Sequence, residues 1–240
     1  MPRFFIDTPP GEYAELTGED ARHVSLALRM RIGEELVLCN GQGTDFRCRI
    51  EAFEEGCVRL RVLESVPSCT EPQVRVTLFQ ALAKGDKMDT IIQKAVELGV
   101  YEVVPILTAR CVSRPDERTF AKKRARYARI AYEAAKQCGR GRIPAVGELL
   151  TPPQLCEGFS GFDQVLFFYE RAELSLRSIP LEGAHTIAVI VGPEGGFEEE
   201  EAAGFIEAGA APVSLGPRIL RCETAPVAAL AALLYAMGEM

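Results

Sequence analysis

The chain has only two histidines, His23 and His185, and none of its eight cysteines forms a Cys-x-x-Cys pair. A zinc centre needs clustered thiolates and imidazoles, so no metal site is expected. Cys39, Cys48 and Cys57 stand in apolar or strand-like surroundings, and the cysteines read as reduced thiols used as small core residues. No apolar run approaches the ~18 residues that span a membrane. Asp7 follows Phe4-Phe5-Ile6 too soon for the apolar centre of a signal peptide. A cytoplasmic protein without a membrane partner is the expectation. Internal repeats and low-complexity segments are also missing.

What is present fits a globular chain. Its 240 residues are 48% hydrophobic and 25% charged, enough for one large core or two modest ones. The net charge of −7 hides an uneven distribution. Residues 1–72 carry 8 basic and 13 acidic side chains, residues 84–142 carry 14 and 7, and residues 143–240 carry 4 and 14. A basic island inside an acidic protein points to a localised polyanion surface, although a solvated helix face has the same composition.

Two grammars divide the chain. Up to about residue 72 there is one helical stripe (Ala21, Val24, Ala27, Leu28), followed by short strands at 35–40, 45–53 and 57–63. Asn40-Gly41-Gln42-Gly43 and Glu54-Glu55-Gly56 have hairpin chemistry, which predicts a small β-barrel or β-roll. Val66 to Pro72 reads as a linker. From residue 73 onward strands and helices alternate: strands at 74–80, 102–106, 164–168, 186–191 and 213–215, and helices at 84–98, 119–137, 152–157, 198–208 and 225–237. This predicts an α/β domain with a largely parallel sheet. Ala121, Ala125, Ala128, Ala131, Tyr132 and Ala135 are expected to form the buried side of the long basic helix.

The chemistry concentrates in two glycine-rich turns, each after an apolar strand and before a helix. Gly192-Pro193-Glu194-Gly195-Gly196-Phe197 has neither the G-x-G-x-x-G spacing of a dinucleotide site nor the Lys-Ser/Thr of a P-loop. In the second, Gly216 and Pro217 expose backbone while Leu215, Ile219 and Leu220 supply an apolar wall. With no lysine in the turns to meet phosphates, the mix suits an adenine ring better than a triphosphate.

These turns, together with Pro2-Arg3-Phe4-Phe5, His23 with Leu28-Arg29-Met30, Lys94-Ala95-Val96-Glu97-Leu98-Gly99, and Glu133-Ala134-Ala135-Lys136-Gln137 with Arg140, resemble the RsmE family in order and spacing. RsmE proteins are SPOUT-superfamily methyltransferases acting on uracil N3 in 16S ribosomal RNA of the small subunit. The resemblance covers nearly the whole chain; Tyr127 stands where many members have tryptophan. It implies a PUA-like β-barrel at 1–72, a trefoil-knotted SPOUT domain at 73–240, and a homodimer through the second domain. It also implies S-adenosyl-L-methionine held by Phe168, Tyr169 and Glu170, by Gly192, Pro193, Glu194, Gly195 and Gly196, and by Leu215, Gly216, Ile219, Leu220 and Thr224. For the chemistry, Arg218 and Arg221 are candidates to stabilise negative charge on the uracil, with Glu223 or Glu194 as proton acceptor. Equally, Arg218 could hold RNA phosphate and Glu223 could cap the last helix with Thr224. Arg3, Arg22, Arg29, Arg31, Lys84, Lys87, Arg110, Arg114, Arg126 and Arg140 are the expected RNA contacts. A ribose 2′-O-methyltransferase and a non-catalytic ribosome assembly factor are the alternatives.

Overall fold

Strict alternation of apolar and polar residues from Phe46 to Glu51 dictates a strand with one buried face, and the computed structural model, which describes residues 1–240, forms it. The chain divides into two units: Met1–Glu71 with Ala135–Ile143, and Pro72–Ala134 with Pro144–Met240. In the first unit lie β1 (Arg3–Phe5), β2 (Tyr13–Thr17), the short helix α1 (Gly18–Arg22), β3 (Glu35–Cys39), β4 (Thr44–Glu54) and β5 (Cys57–Pro67). The strands make one mixed sheet in the order β1-β3-β4-β5-β2, antiparallel except for the parallel pair β1–β3. Its core is Leu36, Leu38, Phe46, Cys48, Ile50 and Leu60, closed by Phe4, Leu16 and Val24.

Two expectations change here. The predicted linker begins later, because β5 runs on through Val66 and Pro67, with Pro67 opposite Thr44 at the end of the pairing. A proline lacks a donor and is tolerated at a strand end, where no further ladder bond is needed. The single helix splits into α1 and one π-helical turn, His23–Ala27.

Residues Ala135–Ile143 join this unit through polar contacts. The buried Arg140 donates from Nε to Glu71 Oε1 at 3.2 Å and forms an ion pair with it. The same carboxylate accepts from the backbone N–H groups of Gly141 (2.9 Å) and Arg142 (3.1 Å). Arg3 donates to the Arg140 carbonyl at 3.3 Å and pairs with Asp45 at 2.7 Å.

The second unit contains β6 (Arg75–Ala81), α2 (Lys87–Leu98), β7 (Glu102–Ile106), α3 (Glu117–Cys138, whose last four residues count with the first unit), β8 (Ala145–Val146), α4 (Pro152–Glu157), β9 (Gln164–Phe168), β10 (Thr186–Val191), α5 (Glu199–Glu207), β11 (Ala211–Val213) and α6 (Ala225–Ala236). All six strands are parallel, in the order β11-β9-β10-β6-β7-β8. Ile187–Val191 is buried throughout, as a strand covered on both faces requires. Register aligns Val213, Phe168, Val191 and Gln80 across four adjacent strands. The segments that follow β9, β10 and β11 therefore leave the sheet at one level.

In this unit most elements shift by at most a residue, while three shift by two or more and one helix face differs from the sequence reading. Helix α2 starts at Lys87 rather than Lys84, because Lys84 sits in a turn and gives its N–H to Glu194 Oε1 at 3.0 Å. Strand β11 ends at Val213, where its carbonyl accepts from Tyr169 N–H at 3.1 Å. The long helix begins two residues early, where Asp116 Oδ1 accepts from Thr119 N–H at 2.7 Å. Its buried side is Phe120, Tyr127, Ala131, Ala134 and Ala135, while Ala121, Ala125 and Ala128 face solvent. Alanine fits either environment, whereas the large apolar rings gain most from burial and set the rotation of the helix.

Replacing Arg140 by methionine would leave the Glu71 carboxylate, only 19% exposed, without its cation. Urea unfolding should show a loss of about 3–5 kcal/mol, the scale for breaking a buried pair, and Arg140→Lys a smaller loss.

Candidate functional site

The aligned strand ends of the second unit open into a cavity of about 930 Å³, within the range of small-molecule sites. Three segments wall it: Phe168–Glu170 with Ala172 and Glu173 after β9, Val191–Phe197 after β10, and Val213–Cys222 after β11. Lys87 and Ala225 complete the lining. Ligands of open α/β sheets bind at this carboxyl edge.

The first glycine turn is held from several sides. A Cβ on Gly192 would stand 2.8 Å from the Phe197 ring, so that only a bare backbone fits over it. Phe197 is itself fixed edge-on against Phe167 (5.0 Å) and Phe205 (5.6 Å). Gly196 has φ +67°, and a Cβ there would lie 2.8 Å from Glu170 Oε1. Gln80 Nε2 donates to the Gly192 carbonyl at 3.2 Å. Arg110, from the segment after β7, donates to the Gly195 carbonyl at 2.9 Å and clasps Glu198 with two nitrogens, at 2.9 and 3.0 Å. Glu198 and Glu201 form a reciprocal capping box at the start of α5.

Of the thirteen residues expected around a cofactor, twelve line the cavity: Phe168, Tyr169, Glu170, Gly192, Pro193, Glu194, Gly195, Gly196, Leu215, Gly216, Ile219 and Leu220. Thr224 does not; it is the exposed N-cap residue of α6 and makes no side-chain cap bond. Ile219, expected in the apolar wall, is at the rim with 87% of its surface in solvent. Arg218 and Arg221 are exposed on the same segment.

The turns themselves carry no lysine, but one reaches them from elsewhere in the chain. Lys87, first residue of α2, brings its Nζ 3.1 Å from Glu194 Oε1 and 3.4 Å from Glu223 Oε2. It comes from a distant part of the chain, and no local motif marks it. Burial works to raise the Glu194 carboxyl, but its own N–H, that of Lys84 and the Lys87 ammonium outweigh burial and hold it below the usual range. Glu223 is likewise lowered, by its own N–H, the Cys222 thiol and Lys87. Both are carboxylates at neutral pH, and both are weaker bases than free glutamate.

The ten basic residues expected on an RNA surface separate into two groups. Arg22, Arg29, Arg31 and Lys84 are exposed and form no side-chain ion pair, whereas Arg110, Arg114 and Arg126, though exposed too, are engaged. The others are engaged within their own unit. Arg140 is buried against Glu71 and Arg3 is paired with Asp45, so neither guanidinium faces outward. Arg110 and Lys87 hold the first turn, Arg126 lies against Asp86 and Asp89, and Arg114 donates to the Thr108 and Ala109 carbonyls at 3.0 and 2.6 Å.

A parallel α/β sheet with a glycine-walled cavity at its carboxyl edge, in one chain with a small mixed sheet, has the architecture of an RNA-modifying enzyme. A profile described as an RNA methyltransferase domain matches residues 70–234, and one described as an RNA methyltransferase PUA domain matches residues 16–62. The chain belongs to the ribosomal RNA small subunit methyltransferase E family. The Bacillus subtilis protein of that name is 34% identical, over 98% of this chain and 96% of its own. The Neisseria gonorrhoeae member, solved bound to S-adenosyl methionine, is 32% identical and superposes with a TM-score of 0.87 over 98% of both chains. A Legionella pneumophila methyltransferase solved with bound SAM is 34% identical, with a TM-score of 0.85 over 98% of this chain and 97% of its own.

The Arg110 guanidinium holds the Glu198 carboxyl below its usual range. A carboxyl depressed in the folded chain contributes fully above its unfolded value and is lost as pH falls through its folded value. Arg110→Ala is therefore expected to speed amide hydrogen exchange at Gly195–Phe197 several-fold at pH 7. The difference from wild type should shrink in acid, as pH falls through the lowered folded value of Glu198.

Proposed function

We propose that this chain transfers the methyl group of S-adenosylmethionine to N3 of a uridine in 16S ribosomal RNA. The observation that carries the reading is the cavity bounded by three turns at one sheet edge, whose residues fit the donor. The bare backbones at Gly192 and Gly196 leave room where a Cβ would collide, Leu215 and Leu220 offer apolar contact, and Glu170 and Glu173 suit a ligand carrying positive charge. When bound, S-adenosylmethionine supplies an electrophilic methyl on a sulfonium.

The chain's own residues must then orient the base and favour loss of its proton. Uridine N3 has a pKa of roughly 9–10, like a tyrosine phenol, so little anion exists at neutral pH. Arg221 and Arg218, exposed at the cavity rim, are the candidates to stabilise charge developing on the uracil carbonyls. Glu194 and Glu223 are poor candidates for proton acceptor, because pairing with the Lys87 ammonium and bonds from backbone N–H groups hold both below the usual carboxyl range. We assign them to holding the turns. RNA docking falls to the outward Arg22, Arg29, Arg31 and Lys84.

The same reading includes a trefoil-knotted second domain, a PUA-like closure of the first sheet and a homodimer through the second domain. The profile match at 16–62 supports the PUA assignment, and Tyr235, 76% exposed on the otherwise apolar α6, supports pairing there. No helix is long and apolar enough to cross a membrane, in keeping with action on cytoplasmic ribosomal RNA.

Mass spectrometry of ribosomal RNA from a strain lacking the protein should show loss of one N3-methyluridine; loss of a 2′-O-methyl group instead would move the target to ribose. Absence of S-adenosylmethionine binding in calorimetry would leave a non-catalytic factor. Arg221→Ala should lower kcat by about 100-fold, the scale for removing one oxyanion donor, with little change in KM for S-adenosylmethionine.

A further inference from the structure

Lys87 touches both glycine-rich turns of the cavity from outside them. Its Nζ lies 3.1 Å from Glu194 in the first turn, 3.4 Å from Glu223 at the exit of the second, and 3.7 Å from Cys222 Sγ beside it. An ammonium has three donors and no acceptor, and here three acceptors surround it. The Cys222 thiol donates onward to Glu223 Oε2 at 3.2 Å, and Lys84 N–H gives a second bond to Glu194 Oε1. The start of α2, the turn after β10 and the turn after β11 thus meet at a single nitrogen. With both carboxylates this close to Nζ, their oxygens lie no more than about 6.5 Å apart, near enough to repel strongly without a cation between them.

We propose that Lys87 is a positioning residue: it pins the two turns at the spacing the methyl donor requires, and it does not contact RNA phosphate. The assignment rests on the methyltransferase reading above. Its donors are already taken by groups of the same unit, which sets it apart from the outward Lys84. Both carboxylates serve the pocket through it, since the ammonium ties each turn to the start of α2.

The pinning predicts a particular pattern. Lys87→Met keeps the length of the side chain and removes its charge. In calorimetry with the full-length protein it should weaken S-adenosylmethionine binding by about tenfold, the scale of a coupled network. In kinetics on small-subunit RNA, KM for S-adenosylmethionine should rise far more than kcat falls. Lys87→Arg should stay within about threefold of wild type, because a guanidinium also bridges two carboxylates. The double variant Lys87→Met/Glu194→Gln should bind better than Lys87→Met alone, since the repulsion is relieved. A Lys87→Met protein that binds the donor like wild type, or that raises KM for RNA instead, overturns the proposal. So does a double variant whose losses simply add.

A ligand-free measurement separates this from the functional reading. Hydrogen exchange in Lys87→Met should quicken at 192–197 and at 215–222 together. If wild type binds no S-adenosylmethionine but the two turns loosen together, the methyltransferase reading fails and the pinning stands. If only one turn loosens, or neither, the pinning fails.

Discussion

Val213, Phe168, Val191 and Gln80 stand side by side across four parallel strands, and that register governs the site. Parallel pairing sets the strand ends level, so the three turns begin at the same height above the sheet. A slip of one residue in β10 would turn its side chains to the opposite face and raise the Gly192 turn out of line with its neighbours. The buried apolar run Ile187–Val191 makes such a slip costly, because both faces are already packed. The cavity is therefore a property of the sheet before it is a property of the turns.

Below the turns the same logic continues into the core. Phe197 follows the glycines directly and packs into Phe167 and Phe205, from β9 and α5. The turn is bare toward the cavity and anchored by an aromatic ring on the other side. Its upper surface is tied by polar groups: Gln80 on the Gly192 carbonyl, Arg110 on the Gly195 carbonyl, Lys87 on Glu194. Flexible glycine backbone is made rigid by its surroundings.

How much of this could be read from the sequence depended on how local the signal was. The strands at 164–168 and 186–191 and the short helix at 152–157 were legible to the residue, because an apolar run or a Thr-Pro-Pro start marks them. The turns at 192–197 and 215–220 were legible because glycine and proline punctuate them, while Phe168–Glu170 carries no such mark and came only from the family resemblance. Lys87 and Arg110 were read as RNA contacts, since a basic residue announces its charge and not its partner. The face of α3 was misread because alanine is neutral evidence for burial, while Phe120 and Tyr127 decide the matter. Much of the basic surplus at 84–142 is likewise met by acidic side chains of the same fold: Arg124 by Glu148 and Arg126 by Asp86 and Asp89 at the surface, Lys136 by Asp20, Arg140 by Glu71. Segment charge overstates surface charge wherever long cations bridge elements.

Cys222 lines the cavity, and burial, reinforced by its hydrogen bond to Glu223, pushes its thiol up to about 12. Sulfur attacks as thiolate and hardly at all as thiol. With that pKa, only about one molecule in a hundred thousand carries the thiolate at neutral pH. A cavity that fits an alkylating reagent thus has a soft nucleophile in its lining that is kept in the unreactive form, because burial, with the Glu223 carboxylate beside it, outweighs the pull of Lys87.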